Sequence, residues 1–385
     1  MDSSSIVCMA DTMIAKETAE TPRLDTVSYY DDSEPNWNER PYFSRVEELR
    51  GRTGCHIDVG SQESLTFGSG SDCFAATPAT ARRPSEVAKQ LAQCMNSQGN
   101  RVVLSGVGGD EVTGGVPTPA PELEDLLARV RFGALAHQLK AWALNKRKPW
   151  FHLFFEAARG FFPPALMCVP SEKRPAPWLN PTFIKRNRPA LQGYESRLKL
   201  FGPLPSFQEN MSTLEALRRQ MACDALPSEP LYEKRYPYLD RSLLEFLYAV
   251  PREQLVRPGQ RRSLMRRALI SIVPDALLNR KRKAFVVRRL MCAFCGEGPR
   301  LAEMAKDMAT ASLGIVDPSS FTKLLQKIPA GQDIPTMTLM RTLGIEYWLQ
   351  QLKAWNFVQV STSVDSRLYL REGETDRELT IGVKT

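Results

Sequence analysis

Histidine is scarce in this chain, with only three among 385 residues, and that removes most of the ligand sets from which zinc and iron sites are built. The lone Cys292-Ala-Phe-Cys295 pair has no second pair to complete a tetrahedral site, so no zinc centre is expected. Long apolar runs are also missing. The nearest approach, Trp150 to Val169, is interrupted by His152, Glu156, Arg159, Gly160 and Pro163-Pro164, and it reads as an amphipathic helix whose aromatic bulk belongs in the core. Internal repeats are absent, and with them solenoids and propellers. The eight cysteines are scattered, no secretory signal precedes them, and a chain of this size needs no disulfide staples. Reduced thiols in a cytoplasmic protein are the expectation, with no membrane partner.

What is present is a folded, enzyme-sized chain: 43% of residues are apolar and 24% charged. The formal charge of +8 is concentrated rather than spread. Eleven Lys or Arg lie between Arg257 and Arg289 against one acid, Asp275. Such a cluster suits ATP and pyrophosphate, a nucleic-acid backbone, or a solvated helix face.

The first 115 residues alternate short apolar runs with helical periodicity, the pattern of a parallel sheet flanked by helices. Helices are predicted over Ser3–Lys16, with Ile6, Val7, Met9, Ala10 and Ile14 inward, over Asn36–Arg52 and over Pro84–Asn96. Strands are predicted at Leu24–Tyr30, Cys55–Val59 and Arg101–Leu104. The Gly, Ser and Thr-rich stretch Gly60–Thr80 reads as a mobile connection. Beyond Pro117, Pro119 and Pro121 helical periodicity dominates to about Asn356, and residues 357–385 form a polar tail. The expected organisation is an α/β core over 1–116, a mainly helical region over 117–356 that completes the active site, and the tail.

The third predicted strand runs into Ser105-Gly106-Val107-Gly108-Gly109-Asp110-Glu111. Glycines let backbone N–H groups close on phosphate, and an adjacent carboxylate suits a phosphate-bridging magnesium ion. Met1-Asp2-Ser3-Ser4 opens a helix with a second carboxylate and two hydroxyls beside exposed helix-end donors. Two Asp-bearing turns at the carboxyl edge of one parallel sheet make a ligand site.

These segments resemble the signatures of the asparagine synthetase family. MDSSS is similar to the latter part of its SGGxDSS pyrophosphatase loop, and SGVGGDE to its second signature. Tyr232 to Phe246, YEKRYPYLDRSLLEF, resembles the RxPFLD segment with Tyr238 in place of Phe. Its residues read as packing: Pro237 turns the chain, Leu239, Leu243, Leu244 and Phe246 face inward, and Asp240 caps a helix. Asn279 to Phe285, NRKRKAF, is similar to the family's basic loop, here announced by Val273-Pro274. The four matches span residues 1 to about 350.

The resemblance implies an adenine nucleotide α-hydrolase-like fold and an ATP-dependent ligase. A carboxylate becomes an acyl-adenylate, pyrophosphate leaves, and ammonia or an amine attacks. It implies Asp2 and Asp110 on Mg²⁺, Ser3 and Ser4 on pyrophosphate, Ser105, Gly106 and either Ser28 or Tyr29 on the nucleotide, and Gly108 and Gly109 in the phosphate loop. Lys283, or else Lys281, would stabilise the leaving group, with Arg282 an alternative match to the family's lysine.

The chain departs from the family at two places. Val107 stands where asparagine-forming members carry a glutamate that handles protons, so the base must come from elsewhere, Glu111 or a helical-region acid. Members that form other amides, including lasso-peptide macrolactam synthetases, fit that loop. Met1 also falls inside the pyrophosphatase loop. A start assigned within a longer gene is the expectation, a fragment needing a partner the alternative, with ammonia supplied by a glutaminase domain absent from this chain. The substrate is a small-molecule or peptide carboxylate. A tRNA-modifying pyrophosphatase is disfavoured because the basic cluster coincides with the RKRK loop; an inactive interaction partner is the remaining rival.

Overall fold

The structure is a computed structural model that describes residues 1–17, 22–34, 39–60, 77–78, 86–162, 175–188, 202–224, 232–280, 293–328, 334–360, 368–372 and 375–378. Most of the Gly60–Thr80 connection therefore lies outside the described residues.

The chain as far as residue 112 alternates as the periodicity predicts. Helix α1 (Asp2–Ala15) leads to strand β1 (Val27–Tyr30), then α2 (Arg40–Arg50), β2 (Cys55–Asp58), α3 (Glu86–Ser97), β3 (Val102–Leu104) and the single turn α4 (Gly109–Val112). On α1 the buried residues are Ser5, Val7 and Cys8, while Met9 is exposed. The inward face is thus rotated from the predicted one, because Cys8 and Val7 meet Val46 of α2 and Leu269, Val273, Leu277 and Leu278 of the later chain.

Strand pairing is parallel, as expected for strands joined by crossover helices, but it is divided between two ladders. Val27 pairs with Cys55 and Tyr30 with Asp58 in the β1–β2 ladder. Val102 pairs with Glu233 and Leu104 with Arg235 in the second, where β3 meets β4 (Glu233–Arg235). A shared apolar layer joins the two. Ile57, Val59, Leu91 and Met95 are buried together, with Val27, Val87, Val103 and Tyr232 against them, so α3 covers both pairs. The chain is an α/β protein, and β4 shows that its sheet is completed by residues far along the sequence.

Between β3 and β4 come α5 (Ala120–Ala128), α6 (Phe132–Lys146), α7 (Trp150–Arg159), α8 (Pro181–Arg186) and α9 (Pro205–Asp224). Leu123, Leu135, Leu139, Trp142, Leu153 and Ala157 form the core where α5, α6 and α7 meet. The aromatic run on α7 does not enter it. Trp150, Phe151, Phe154 and Phe155 are exposed, because only the Leu153–Ala157 edge of this short helix meets its neighbours. Residues 163–169 of the same run lie outside the described residues.

After β4 the chain turns through Pro237–Leu239 into α10 (Arg241–Ala249), α11 (Arg252–Leu255), α12 (Ser263–Ala268) and α13 (Asp275–Leu278). Asp240 caps α10 as predicted, accepting the Leu243 N–H at 3.1 Å. Leu239, Leu243 and Leu244 pack on the core, but Phe246 is exposed and Leu247 takes the buried position.

Helices α14 (Gly298–Met304), α15 (Ala309–Ser312), α16 (Pro318–Lys327) and α17 (Thr336–Ala354) enclose a separate core around Trp178, Phe294, Phe321, Leu339 and Leu343. The tail is not wholly irregular. Strands β5 (Val358–Val360), β6 (Leu368–Glu372) and β7 (Thr375–Glu378) form an antiparallel sheet. Among the described residues, no helix is long and apolar enough to cross a membrane.

Candidate functional site

The two Asp-bearing turns singled out in the sequence converge. Asp2 lies in the first turn of α1 and Asp110 in the first turn of α4, at the carboxyl end of β3. One guanidinium nitrogen, Nη2 of Arg262, donates to both carboxylates, to Asp2 Oδ2 at 2.5 Å and to Asp110 Oδ1. The Arg262 side chain is only 5% exposed and each aspartate side chain 18%. A shared cation between two half-buried acids is the expected remedy for their mutual repulsion.

The glycines of the loop serve this convergence through their lack of a side chain. A Cβ on Gly109 would stand 2.6 Å from Asp2 Cγ and 2.9 Å from its Cβ, and one on Gly106 would stand 3.0 Å from the Ser3 nitrogen. Gly108 has a φ of +92°, and a Cβ there would lie 2.5 Å from Leu239. Helix α1 and the turn at Leu239 therefore close directly onto the loop backbone. Two loop amides are engaged internally, Val107 N–H with Ser105 Oγ at 3.3 Å and Gly109 N–H with the Gly106 carbonyl at 3.1 Å. The Ser105 N–H donates to the Arg235 carbonyl at 2.8 Å, which fixes the loop to β4.

A cavity of about 160 Å³ opens beside the pair, lined by Met1, Asp2, Glu39, Arg261, Arg262, Arg266, Leu277 and Arg280. Four arginines against two acids make it strongly basic. Arg280 is held by Glu39 through two bonds of 2.8 and 2.7 Å and lies 4.1 Å over the Tyr42 ring. Arg266 donates to the carbonyls of Leu278 and Arg280. The Nε of Arg261, like that of Arg262, is buried without a hydrogen-bond partner among the described residues. Burial first, and then the neighbouring Arg262, push its proton affinity down. An arginine under that pressure favours an anion beside it.

The basic cluster is therefore not a solvated face where Arg261, Arg262, Arg266 and Arg280 stand. The density of charge is plain in the sequence, but it does not by itself single out these four. The usable signal was the pairing of Arg261-Arg262 with Arg266 one helical turn on, directly before the apolar run that packs on α1.

The other sequence candidates are distributed as follows. Ser3 is exposed and Ser4 half-buried, both in the first turn of α1, with Ser3 against Gly106. Ser28 and Tyr29 sit on β1. Tyr29 is 37% exposed, and partial burial of its ring raises the phenol's pKa, with Tyr232, Cys55 and Cys94 as its titrating neighbours. Lys281, Arg282 and Lys283 lie outside the described residues.

Of the acids considered as a base, Glu111 is exposed beside Asp110. Glu346, fully buried, accepts from Ala309 N, Thr310 N, Thr310 Oγ1 and Gln350 Nε2 at 2.8, 2.9, 2.6 and 2.8 Å, so it is committed to capping α15. Among the described residues no group of three or more His, Cys, Asp and Glu could hold a metal ion by itself. Two carboxylates sharing one cation nonetheless fit a hard divalent ion that takes its remaining ligands from phosphate and water, which is how magnesium is commonly held.

Asp110 just beyond the carboxyl end of a parallel strand, Asp2 in the first turn of a neighbouring helix and the basic hollow beside them make a site on an α/β scaffold that suits an anionic ligand. The particular family follows from comparison with known proteins: the asparagine synthase family model matches residues 1–350, and this chain belongs to that family. No curated protein matches it.

Proposed function

We propose that this protein uses ATP to activate a carboxylate as an acyl-adenylate, with loss of pyrophosphate, for attack by ammonia or an amine. The observation that carries the reading is the meeting of Asp2 and Asp110 on a single cation beside a hollow lined by four arginines. Asp2 and Asp110 would hold Mg²⁺, whose contribution when bound is to neutralise the phosphates. Arg261 and its neighbours would then bind phosphate oxygens and favour the separating pyrophosphate charge, a role that Lys283, Lys281 or Arg282 would share.

The α/β core, residues 1–116, would bind the nucleotide, and residues 117–356 would close the site and select the acid. Val107, apolar and 39% exposed, supplies no proton acceptor at the position where asparagine-forming members have glutamate. Asparagine, with ammonia from a glutaminase domain, is the default product, and closure of a peptide amine onto a side-chain carboxylate is the alternative that a loop without that acceptor is compatible with. Free thiols at Cys8, Cys55, Cys94 and Cys295 support a cytoplasmic setting.

The test is ATP–pyrophosphate exchange by the protein with aspartate and with peptide acids. Exchange dependent on one of these acids is expected, and Asp110→Asn should abolish it while the far-ultraviolet spectrum and unfolding midpoint stay near those of the parent. Full exchange by Asp110→Asn contradicts the assignment of that carboxylate.

A further inference from the structure

We propose that Arg262 is the resting counter-ion of the Asp2–Asp110 pair, standing in the place of the divalent cation and excluding it until phosphate groups draw the guanidinium away. The inference rests on the reading of the site given above and concerns the order in which its ligands enter.

Three observations carry it. The first is location: a single nitrogen, Nη2, serves both carboxylates, so the positive charge sits between the groups that a bridging ion needs. A guanidinium and a divalent cation a few ångströms apart repel strongly inside a partly buried site, so the two occupancies exclude each other.

The second is how the arginine is held. Its backbone takes the left-handed conformation, φ +54° and ψ +41°, which is strained for a non-glycine residue. The Arg262 N–H donates to the Gly114 carbonyl at 3.1 Å, four residues beyond Asp110, so the main chain is pinned at the loop and aims the side chain at the pair. A strained residue kept at such a place is maintained by its surroundings.

The third is that the grip is partial. Nε of Arg262 is buried and has no hydrogen-bond partner among the described residues, and the contact to the acids is not the bidentate fork that makes arginine–carboxylate pairs strong. Arg261, Arg266 and Arg280 line the same cavity, so a polyphosphate drawn in by them arrives beside Arg262 and offers it a better-matched partner. Its departure removes the guanidinium from between the carboxylates, where the metal that accompanies the nucleotide is to bind. Free metal alone has to displace a buried cation.

The experiment is a titration of nucleotide-free protein with Mn²⁺, followed by the paramagnetic signal of the unbound ion. Arg262→Gln should bind Mn²⁺ at least tenfold more tightly than the parent, and millimolar Mn²⁺ should raise its unfolding midpoint while leaving the parent's unchanged. Where the glutamine variant does not fold, Arg262→Gly, whose backbone suits φ +54°, gives the same comparison. Equal Mn²⁺ affinity in parent and variant overturns the proposal. ATP–pyrophosphate exchange measured alongside separates the two ideas: exchange by the parent with no Mn²⁺ difference removes the counter-ion and leaves adenylation. A Mn²⁺ difference with no exchange for any acid removes adenylation and leaves the competition between Arg262 and the metal.

Discussion

At the scale of single residues the site is made by what is missing as much as by what is charged. Gly109 lets Asp2 stand close enough to Asp110 to share Arg262, and a methyl group there would fall within 2.9 Å of three Asp2 atoms. Gly109→Ala is expected to push the α1 terminus off the loop, destabilising the fold by roughly 1–3 kcal/mol and lowering exchange activity by more than tenfold. Denaturant midpoints and ATP–pyrophosphate exchange check this. Activity and stability near those of the parent would show that the approach of α1 is not needed. The sequence pointed to these glycines through phosphate binding, and the geometry adds a second duty, admitting Asp2.

At the scale of elements, α5 carries an acid that answers to pH. Glu124 is buried, and burial first, then the charges of Glu209 and Asp125, lift its pKa from 4.5 to about 7. The folded protein thus holds one more proton there than the unfolded chain between about pH 4.5 and 7. Stability from this group is present below that window, falls as the pH rises through it, and levels off above about pH 7. Glu124→Gln should flatten that slope and be more stable than the parent at pH 8 by roughly 1–3 kcal/mol, in denaturant melts at a series of pH values. A parent and variant with parallel pH profiles would contradict the burial argument. Its neighbour on α5, Glu122, is also buried but receives the Trp142 indole N–H at 3.1 Å, which offsets part of the same penalty.

At the scale of the whole molecule, distant parts of the chain close on the N-terminal turn. Ser5 Oγ donates to the Asp2 carbonyl at 2.7 Å, which leaves the Tyr238 hydroxyl as donor in its 2.5 Å contact with Ser5 Oγ. Burial pushes the Tyr238 phenol up to about 12, so it stays a donor at ordinary pH. Tyr238→Phe should lower stability by about 1 kcal/mol with no change in denaturant slope. An unchanged midpoint would show that the contact adds nothing to the docking of residues 236–240 onto α1.

Local pattern determined a good deal of this protein: the alternation of helix and strand through residue 112, the Asp240 cap, Asp110 at a strand-to-helix turn and Asp2 in the first turn of a helix. These depend on neighbours within a few residues, where periodicity and side-chain chemistry act. Only the tertiary structure decided that Arg262, 260 residues from Asp2, closes the pair, that β4 returns to complete β3, and that the α7 aromatics face outward. Each of those depends on which surfaces meet across long loops. A run of arginines has the same local chemistry whether it faces solvent or two carboxylates, and only packing tells them apart.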